Sequence, residues 1–375
     1  MMRSRPRPDL VLLGATAFLL VFGLVMVYSA SIIYAKDHGR EADYFLERQM
    51  LRAAIGIGIL LVTYRLGLER IRRAAPAVLI LGGIFLVTLL LPWFRGASVR
   101  GTFRWVQLFG LTVQPSELVK LALLLHLCRV LARRGDEVRT KEGLMAPLVL
   151  LLGVAGLVAL QPNLGTAAAI GITGFGLLYV AGAQLHHLAL VAGLGVVGVG
   201  IRLLQVPYEW KRIKDYLDAL LHGTVDRAAS GYQLDQSLIA LGSGGFFGKG
   251  IGEGMQKFRF LPDSHTDFIF SIIGEEGGFI AAVLVLGVYA VVVSRALAIA
   301  SATEDRFAAL TAAGIGIMLA VHVLLNVAVV TGLLPTTGLP LPFLSYGGSS
   351  LVVNLAAVGI LLRLAADRDR LVPAR

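Results

Sequence analysis

The residues most able to do chemistry lie in one segment, 261–277, which reads LPDSHTDFIFSIIGEEG. A polar cluster that ends at Asp267 runs directly into an apolar segment, and two further carboxylates, Glu275 and Glu276, lie inside that segment. Charges near hydrocarbon are costly, so each is by default a functional hypothesis. We predict that Asp267 lies at the boundary between water and lipid, where a carboxylate can touch a membrane-bound substrate and still be reached from water.

A second group of candidates is RWVQ, residues 104–107, followed by QPSELVK, residues 114–120. Within it, Glu117 favours the positive end of a helix that begins near Pro115. Lys120 lies one turn beyond Glu117 on the same face, so an ion pair can form. A buried pair adds little stability, which favours a site over a purely structural role. A lone tryptophan such as Trp105 is more typical of an anchor at the membrane interface.

Two further motifs place proline and glycine among apolar residues. QPNLGT, residues 161–166, splits what would otherwise be one long apolar run, and broken helices are tolerated where they line a cavity. For LPTTGLPLPFLSYGGSS, residues 334–350, a tight loop with a packing role is the preferred interpretation. His322 and Asn326 lie four residues apart, and an interhelical hydrogen bond accounts for both.

The elements that position these residues are predicted to be membrane helices. Of 375 residues, 56% are hydrophobic and only 15% are charged, and the mean hydropathy is +0.77. A soluble domain carries roughly a quarter charged residues. We predict an all-α integral membrane protein with about ten transmembrane helices, the first of them uncleaved rather than a signal peptide. The spans are expected near residues 9–34, 50–67, 74–93, 115–133, 145–160, 165–181, 185–205, 266–298, 306–333 and 345–366.

The distribution of charge predicts the orientation. The net charge is +10, but the arginines cluster in short loops between apolar runs, which indicates topology rather than binding to nucleic acid. Both termini are expected to be cytoplasmic. The long loop 206–265 is then extracytoplasmic, between helices 7 and 8, and the apolar spacing within 208–221 and 232–241 predicts short amphipathic helices. We expect one polytopic domain over residues 1–375.

Other kinds of site fit the sequence poorly. The stretch GSGGFFGKGIGEG, residues 242–254, lacks the spacing of a phosphate-binding loop, so tight turns are preferred. Ser264, His265 and Asp267 are too close in sequence for a hydrolase triad. Metal binding at His265 and the nearby carboxylates has no recognisable ligand spacing. The one cysteine, Cys128, excludes an intrachain disulfide.

Taken together and in this order, the motifs resemble the SEDS family of membrane glycosyltransferases. HTDFIFSIIGEE, QPSELVK and LPFLSYGGSS carry the resemblance, and YQLDQSLIALGSGG, MQKFRFLPDSHTDF and PTTGLPLPF are more similar to the FtsW branch than to the RodA branch. The resemblance implies ten helices in a bacterial cytoplasmic membrane and a cavity open to the outer leaflet. It implies lipid II as substrate, and as partners a class B penicillin-binding transpeptidase and other divisome or elongasome membrane proteins.

The resemblance also implies roles for single residues. The essential aspartate of the family falls on Asp267, its motif tryptophan on Trp105, and its glutamate and lysine on Glu117 and Lys120. At two other positions the chain departs from the family: Asn163 stands where aspartate is usual, which weakens any catalytic role there, and Asp263 stands where glutamate is usual.

The expected reaction joins the C4 hydroxyl of one lipid II to C1 of the growing lipid-linked strand. The donor bond is α and the product β-1,4, so one inversion is needed and a single base suffices. We expect Asp267 to be this base, with His265 and Thr266 beside it as supporting substrate contacts. The pyrophosphate leaving group needs positive charge rather than an acid. The candidates for that charge are Lys120, Arg212 and Lys257, or a divalent cation.

Two other classes of function stay open at this point. A lipid flippase or secondary transporter would also place buried charges and broken helices around a cavity. A non-catalytic membrane scaffold of the cell-wall synthesis complex is the other alternative, and it predicts that Asp267→Asn is silent.

Overall fold

The computed structural model describes residues 8–91, 104–108, 111–222 and 230–371. Within these ranges the chain is almost entirely helical. The twelve α-helices are α1 Leu10–Asp37, α2 Tyr44–Arg65, α3 Leu68–Leu90, α4 Pro115–Arg134, α5 Lys141–Leu160, α6 Leu164–Val180, α7 Leu185–Gln205, α8 Pro207–His222, α9 Ser230–Gly244, α10 Ile269–Ser301, α11 Arg306–Val330 and α12 Gly348–Leu371. A short hairpin precedes α4, with β1 (Val106–Leu108) antiparallel to β2 (Leu111–Val113).

The helices agree with the predicted spans. Six of them, α1, α3, α5, α10, α11 and α12, are long and apolar enough to cross a membrane, and α6 and α7 are shorter apolar helices. With α2 and α4, which carry more charge, they coincide with the ten predicted spans, so the prediction of an all-α integral membrane protein is confirmed. The largest boundary errors are at α2 and α3, which begin at Tyr44 and Leu68 rather than near residues 50 and 74, because polar residues extend both helices beyond their apolar runs.

The interior of the bundle is formed by α11 and α12, whose apolar segments are the most buried of the six. Close packing of α12 on α2 depends on small residues: an ideal Cβ on Gly56 would lie 2.5 Å from Leu355 Cδ1, and one on Gly359 would meet Thr63 and Leu60. Because lipid is as apolar as leucine, helices in membranes associate through this kind of close contact.

The two ends of the bundle differ in chemistry. At the basic end, Arg72 at the start of α3 donates from Nη2 to both carboxylate oxygens of Asp305, at 2.8 Å each, just before α11. Arg306 donates to the carbonyls of Gly135 and Ala181 at 2.9 and 3.0 Å. The opposite end, called the loop end below, contains α8, α9, residues 245–268 and residues 331–347. The amphipathic helices expected within residues 206–265 are observed as α8 and α9.

One feature of α10 was not predicted: the helix is broken at Gly278, which has φ 68° and ψ −169°. The backbone groups freed by the break bond to the glycine-rich segment that follows α9. The bonds are Lys249 N to Glu275 O at 3.0 Å, Gly250 N to Glu276 O at 2.9 Å, Phe279 N to Gly245 O at 2.9 Å and Ile280 N to Phe246 O at 3.3 Å. Irregular backbone at membrane depth is tolerated where protein satisfies it in this way.

Candidate functional site

Asp267 lies at the loop end, immediately before the first turn of α10, and its side chain is partly exposed. A tight turn precedes it. The carbonyl of Asp263, a residue with φ 53°, accepts from Thr266 N at 3.0 Å and from Thr266 Oγ1 at 3.1 Å. The turn fixes where α10 begins, and the positive end of that helix favours a carboxylate. The turn also uses the hydroxyl proton of Thr266, which leaves its oxygen as an acceptor.

The main chain of Asp267 is held by Asn326 of α11. The Nδ2 atom of Asn326 donates to Asp267 O at 2.8 Å and to Leu339 O at 2.7 Å. The Asp267 carboxylate lies against Gly338, where an ideal Cβ would be 3.4 Å from Oδ2. Gly338 has φ 73°, so glycine is favoured there by conformation as well as by space. One amide side chain therefore fixes both the aspartate and the loop that faces it.

The loop that contains Gly338 also contacts two other predicted features. Arg212 of α8 donates from Nη1 to Thr336 O at 3.4 Å, and Tyr216, one turn later, donates to Gly332 O at 3.1 Å. On the other side, Gly165 of the QPNLGT motif packs so closely that a Cβ would lie 2.7 Å from Thr337 O. The structure thus brings the third and fourth motifs and Arg212 to the loop beside Asp267.

The ion pair predicted between Glu117 and Lys120 is present. Lys120 Nζ lies 2.8 Å from Glu117 Oε2, and both side chains are 2% exposed. Lys120 Nζ also lies 2.9 Å from His322 Nε2, and His322 Nδ1 lies 2.8 Å from Met318 O. An ammonium only donates, so His322 accepts at Nε2 and donates from Nδ1, which makes it the neutral Nδ1–H tautomer.

His322 and Asn326 are one turn apart on α11, so this helix connects the ion pair to the backbone of Asp267. The expected interhelical hydrogen bond is confirmed for His322, which contacts Lys120 of α4. Asn326 instead donates to the carbonyls of Asp267 and Leu339, which lie outside the helices. Lys120 also borders a small interior cavity of about 10 Å³ between α4, α5 and α6, whose only other polar side chain is Thr173. A cavity of that size holds about one water molecule.

Lys257, which the sequence predicts to contact the pyrophosphate, is hydrogen-bonded to other groups of the protein. Its Nζ donates to Ser29 Oγ at 3.1 Å, to Gly252 O at 2.6 Å and to Glu276 Oε1 at 2.8 Å. These bonds use all three ammonium protons, and the side chain is only 4% exposed. We therefore remove Lys257 from the group of candidate substrate contacts and assign it an anchoring role.

Glu275 and Glu276, the two carboxylates inside the apolar part of segment 261–277, accept hydrogen bonds from the loop that precedes this segment. Glu275 Oε1 accepts from Lys249 Nζ at 2.8 Å and from Met255 N at 2.9 Å, and Oε2 accepts from Gln256 N at 3.1 Å. Glu276 accepts from Ser29 Oγ at 2.7 Å and from Gly252 N at 3.0 Å. Together these two buried carboxylates fix residues 249–257 onto α10. We call this set of contacts the loop anchor.

The remaining predicted contacts occupy less reactive positions. His265 is 2% exposed, and its ring packs against Tyr34, Phe45 and Tyr346 at centroid distances of 4.9, 4.9 and 5.7 Å. Such packing suits a structural role, so we no longer include His265 among the proposed substrate contacts. Trp105 is partly exposed and comes directly before β1.

The departure from the family pattern at Asn163 also has a structural explanation. Asn163 is the N-cap of α6, where its Oδ1 accepts from Thr166 N at 3.4 Å, a role in which asparagine and aspartate are equally suited. Within the described ranges, no group of three or more histidine, cysteine, aspartate or glutamate side chains could hold a metal ion.

Sequence reasoning missed two buried residues at the loop end. Ser29 of α1 donates to Glu276, and Arg52 of α2 is 4% exposed. A signal existed for Arg52, because a charged residue inside a predicted span is by default a functional hypothesis. No local signal pointed to Ser29, whose partners lie 228 and 247 residues away in the chain.

Comparison with known proteins agrees with the fold and the motifs. A family model described as a cell cycle protein, that of FtsW, RodA and SpoVE, matches residues 10–370. The chain is 42% identical to a probable peptidoglycan glycosyltransferase FtsW of Trichlorobacter lovleyi, over 96% of this chain and 93% of that one. It is 37% identical to stage V sporulation protein E of Bacillus subtilis, over 97% and 99%.

Two solved structures have the same fold. One comes from work on the structural coordination of polymerization and crosslinking by a peptidoglycan synthase complex. It has a TM-score of 0.78 at 29% identity, and the match covers 96% of this chain and 98% of that chain. The rod shape determining protein RodA of Thermus thermophilus has a TM-score of 0.71 at 28% identity, with 96% and 97% covered. The chain thus belongs to the FtsW/RodA/SpoVE family of multi-pass membrane proteins, as its motifs indicated.

Proposed function

We propose that this protein is a peptidoglycan glycosyltransferase of the FtsW type that polymerises lipid II into β-1,4 glycan strands with inversion at C1. The observation that carries the proposal is the setting of Asp267. Its side chain is partly exposed at the loop end, its backbone is fixed by Asn326, and a Cβ at Gly338 would lie 3.4 Å from its Oδ2. The names of the relatives, which include peptidoglycan glycosyltransferases, support the reaction class.

Asp267 acts as the general base. It accepts the proton of the attacking C4 hydroxyl while the bond to C1 forms from the opposite side to the leaving pyrophosphate, a contribution worth ~10²–10⁴-fold. A base must keep a fixed position through this step, because small displacements of a catalytic group are costly. The hydrogen bond from Asn326 and the turn at Asp263 supply that position.

Positive charge stabilises the departing pyrophosphate. Arg212 lies on the far side of the loop that faces Asp267 and donates to that loop at 3.4 Å, so it places a positive charge near the proposed base. Lys120 holds Glu117 and His322 and keeps one proton beyond those two contacts. Trp105, Glu117 and Thr266 complete the proposed substrate-binding residues.

The proposed orientation follows from the two ends of the bundle. The basic end, where α1 begins and α12 ends, faces the cytoplasm by the positive-inside rule, which makes both termini cytoplasmic, and the loop end faces the outside of the bacterial cytoplasmic membrane. The polyprenyl tail of lipid II stays in the bilayer while its sugars reach Asp267. The partner is a class B penicillin-binding transpeptidase, which is consistent with the synthase complex found among the structural relatives.

The test is polymerisation of labelled lipid II by purified protein, with and without its transpeptidase. Asp267→Asn should abolish polymer while leaving a monodisperse, folded protein. Asp263→Asn is the matched control: it removes a carboxylate four residues away, and asparagine tolerates the φ of 53° found there. Near-full activity of Asp267→Asn would overturn the proposal. Lipid II translocation without polymer in proteoliposomes would favour a flippase instead.

A further inference from the structure

Arg52 of α2 is buried without a balancing charge. Its Cζ lies 4.6 Å above the centre of the Tyr346 ring, and its Nη2 donates to Thr112 Oγ1 at 3.4 Å. Its Nε and Nη1 have no hydrogen-bond partner among the described residues, and no carboxylate of those residues forms an ion pair with it. Unsatisfied buried donors are rare enough to need an explanation, such as an ion that the site is built to hold.

The guanidinium of Arg52 lies against the first residue of α12. An ideal Cβ on Gly348 would be 2.8 Å from Arg52 Nε and 3.3 Å from Cζ, so the glycine makes room for the arginine. A helix begins with backbone N–H groups that have no partner inside the helix and carries a partial positive charge there. Arg52 and the start of α12 therefore repel each other unless an anion lies between them.

We propose that Arg52 and the first turn of α12 form a binding site for a phosphate-type oxyanion. Arginine presents its donors as a planar fork that matches phosphate, and helix N-termini bind anions through their N–H groups. Ser349 adds a hydroxyl in this turn, which is positioned by a hydrogen bond from Gln114 N at 2.7 Å. Since Arg52 is 4% exposed, an anion reaches it only after the packing around Tyr346 opens.

The site is connected to the proposed catalytic segment. The guanidinium of Arg52 lies over the ring of Tyr346. The backbone N of Tyr346 donates to His265 O at 2.9 Å, and His265 is two residues before Asp267. Of the basic side chains buried at this end, Lys257 has no donor left and Lys120 is paired with Glu117. Arg52 thus takes over the role that the sequence suggested for Lys257. This assignment to the leaving group rests on the proposed function.

Two sources of the anion have the same chemistry: the pyrophosphate of a polyprenyl-linked substrate and free inorganic pyrophosphate. Binding of inorganic pyrophosphate and of farnesyl pyrophosphate to the full-length protein in detergent, measured by microscale thermophoresis at fixed ionic strength, distinguishes them. Tighter binding of the prenyl compound identifies the lipid-linked source, and equal or weaker binding identifies the free ion. Either result supports the anion site, provided that the measured binding depends on Arg52.

The variants are Arg52→Gln, Arg52→Lys and the control Arg73→Gln. Arg73 is 78% exposed at the basic end, so the control removes the same charge far from the site. We expect Arg52→Gln to weaken binding about tenfold or more, Arg52→Lys to weaken it less, and Arg73→Gln to bind as the wild type does. Should Arg52→Gln fail to fold, Arg52→Lys still tests the fork geometry.

The proposal is overturned if the wild type binds neither compound, or if both Arg52 variants bind as tightly as the wild type. The experiments distinguish failure of the anion site from failure of the proposed polymerase function. Asp267→Asn should lose polymerisation and keep Arg52-dependent binding. A wild type that binds pyrophosphate through Arg52 but makes no polymer would leave the anion site standing and remove the polymerase.

Discussion

Within the loop anchor, removing the positive charge of the Lys257–Glu276 pair should be far more damaging than removing both charges of that pair. In Lys257→Met, Glu276 keeps its negative charge at 0% side-chain exposure, with only Ser29 and Gly252 N as partners. Breaking a buried ion pair from one side costs about 3–5 kcal/mol, whereas replacing both partners by neutral groups of similar volume is often nearly neutral. The double variant Lys257→Met/Glu276→Gln should therefore recover more than half of the lost stability.

The assay is thermal unfolding in detergent, together with the fraction of protein that elutes as a monodisperse peak. Arg72→Met is the matched control, because its pair with Asp305 is partly exposed and such pairs contribute about 0–1 kcal/mol. Polymerase activity is measured on the same samples. Two results would refute the reasoning: a Lys257→Met protein as stable as the control, or a double variant no more stable than Lys257→Met alone.

Three further substitutions test other parts of the structure. Gly278→Ala should cost at least ~1–3 kcal/mol and lower the folded yield, because its Cβ would lie 2.6 Å from Phe246 O; Gly287→Ala, with nothing within 4 Å, should not. Asn326→Leu should lower kcat for polymerisation more than it lowers the unfolding temperature, since it frees Asp267; an unchanged kcat contradicts this role. His265→Phe should keep most activity, and full loss would show that the imidazole itself acts on substrate.

The features that could be predicted from the sequence are those encoded locally. Apolar runs gave the ten spans, apolar spacing gave α8 and α9, and a spacing of three residues gave the pair of Glu117 with Lys120. Each of these depends on residues within a few turns of one another. The position of Asp267 before α10 also followed from the local change from polar to apolar residues.

The features that could not be predicted depend on distant parts of the chain. Nothing near Lys257 shows that it will meet Ser29, which is 228 residues away. Adjacent glycines inside an apolar run are compatible with a continuous helix, so the break at Gly278 becomes visible only with the segment that fills it. Arg52 was visible as a charge inside a predicted span, but its surroundings were not, since its neighbours Gly348 of α12 and Thr112 of β2 are distant in the chain.

The break at Gly278 divides α10 into two mechanical parts. The part before the break, Ile269–Gly277, is joined by backbone and carboxylate bonds to residues 249–257, and Asp267 lies two residues before it. The part after the break continues to the basic end. Because residues on both sides of the break bond to residues 245–250, that segment fixes the angle between the two parts of α10 and with it the direction in which the chain leaves Asp267.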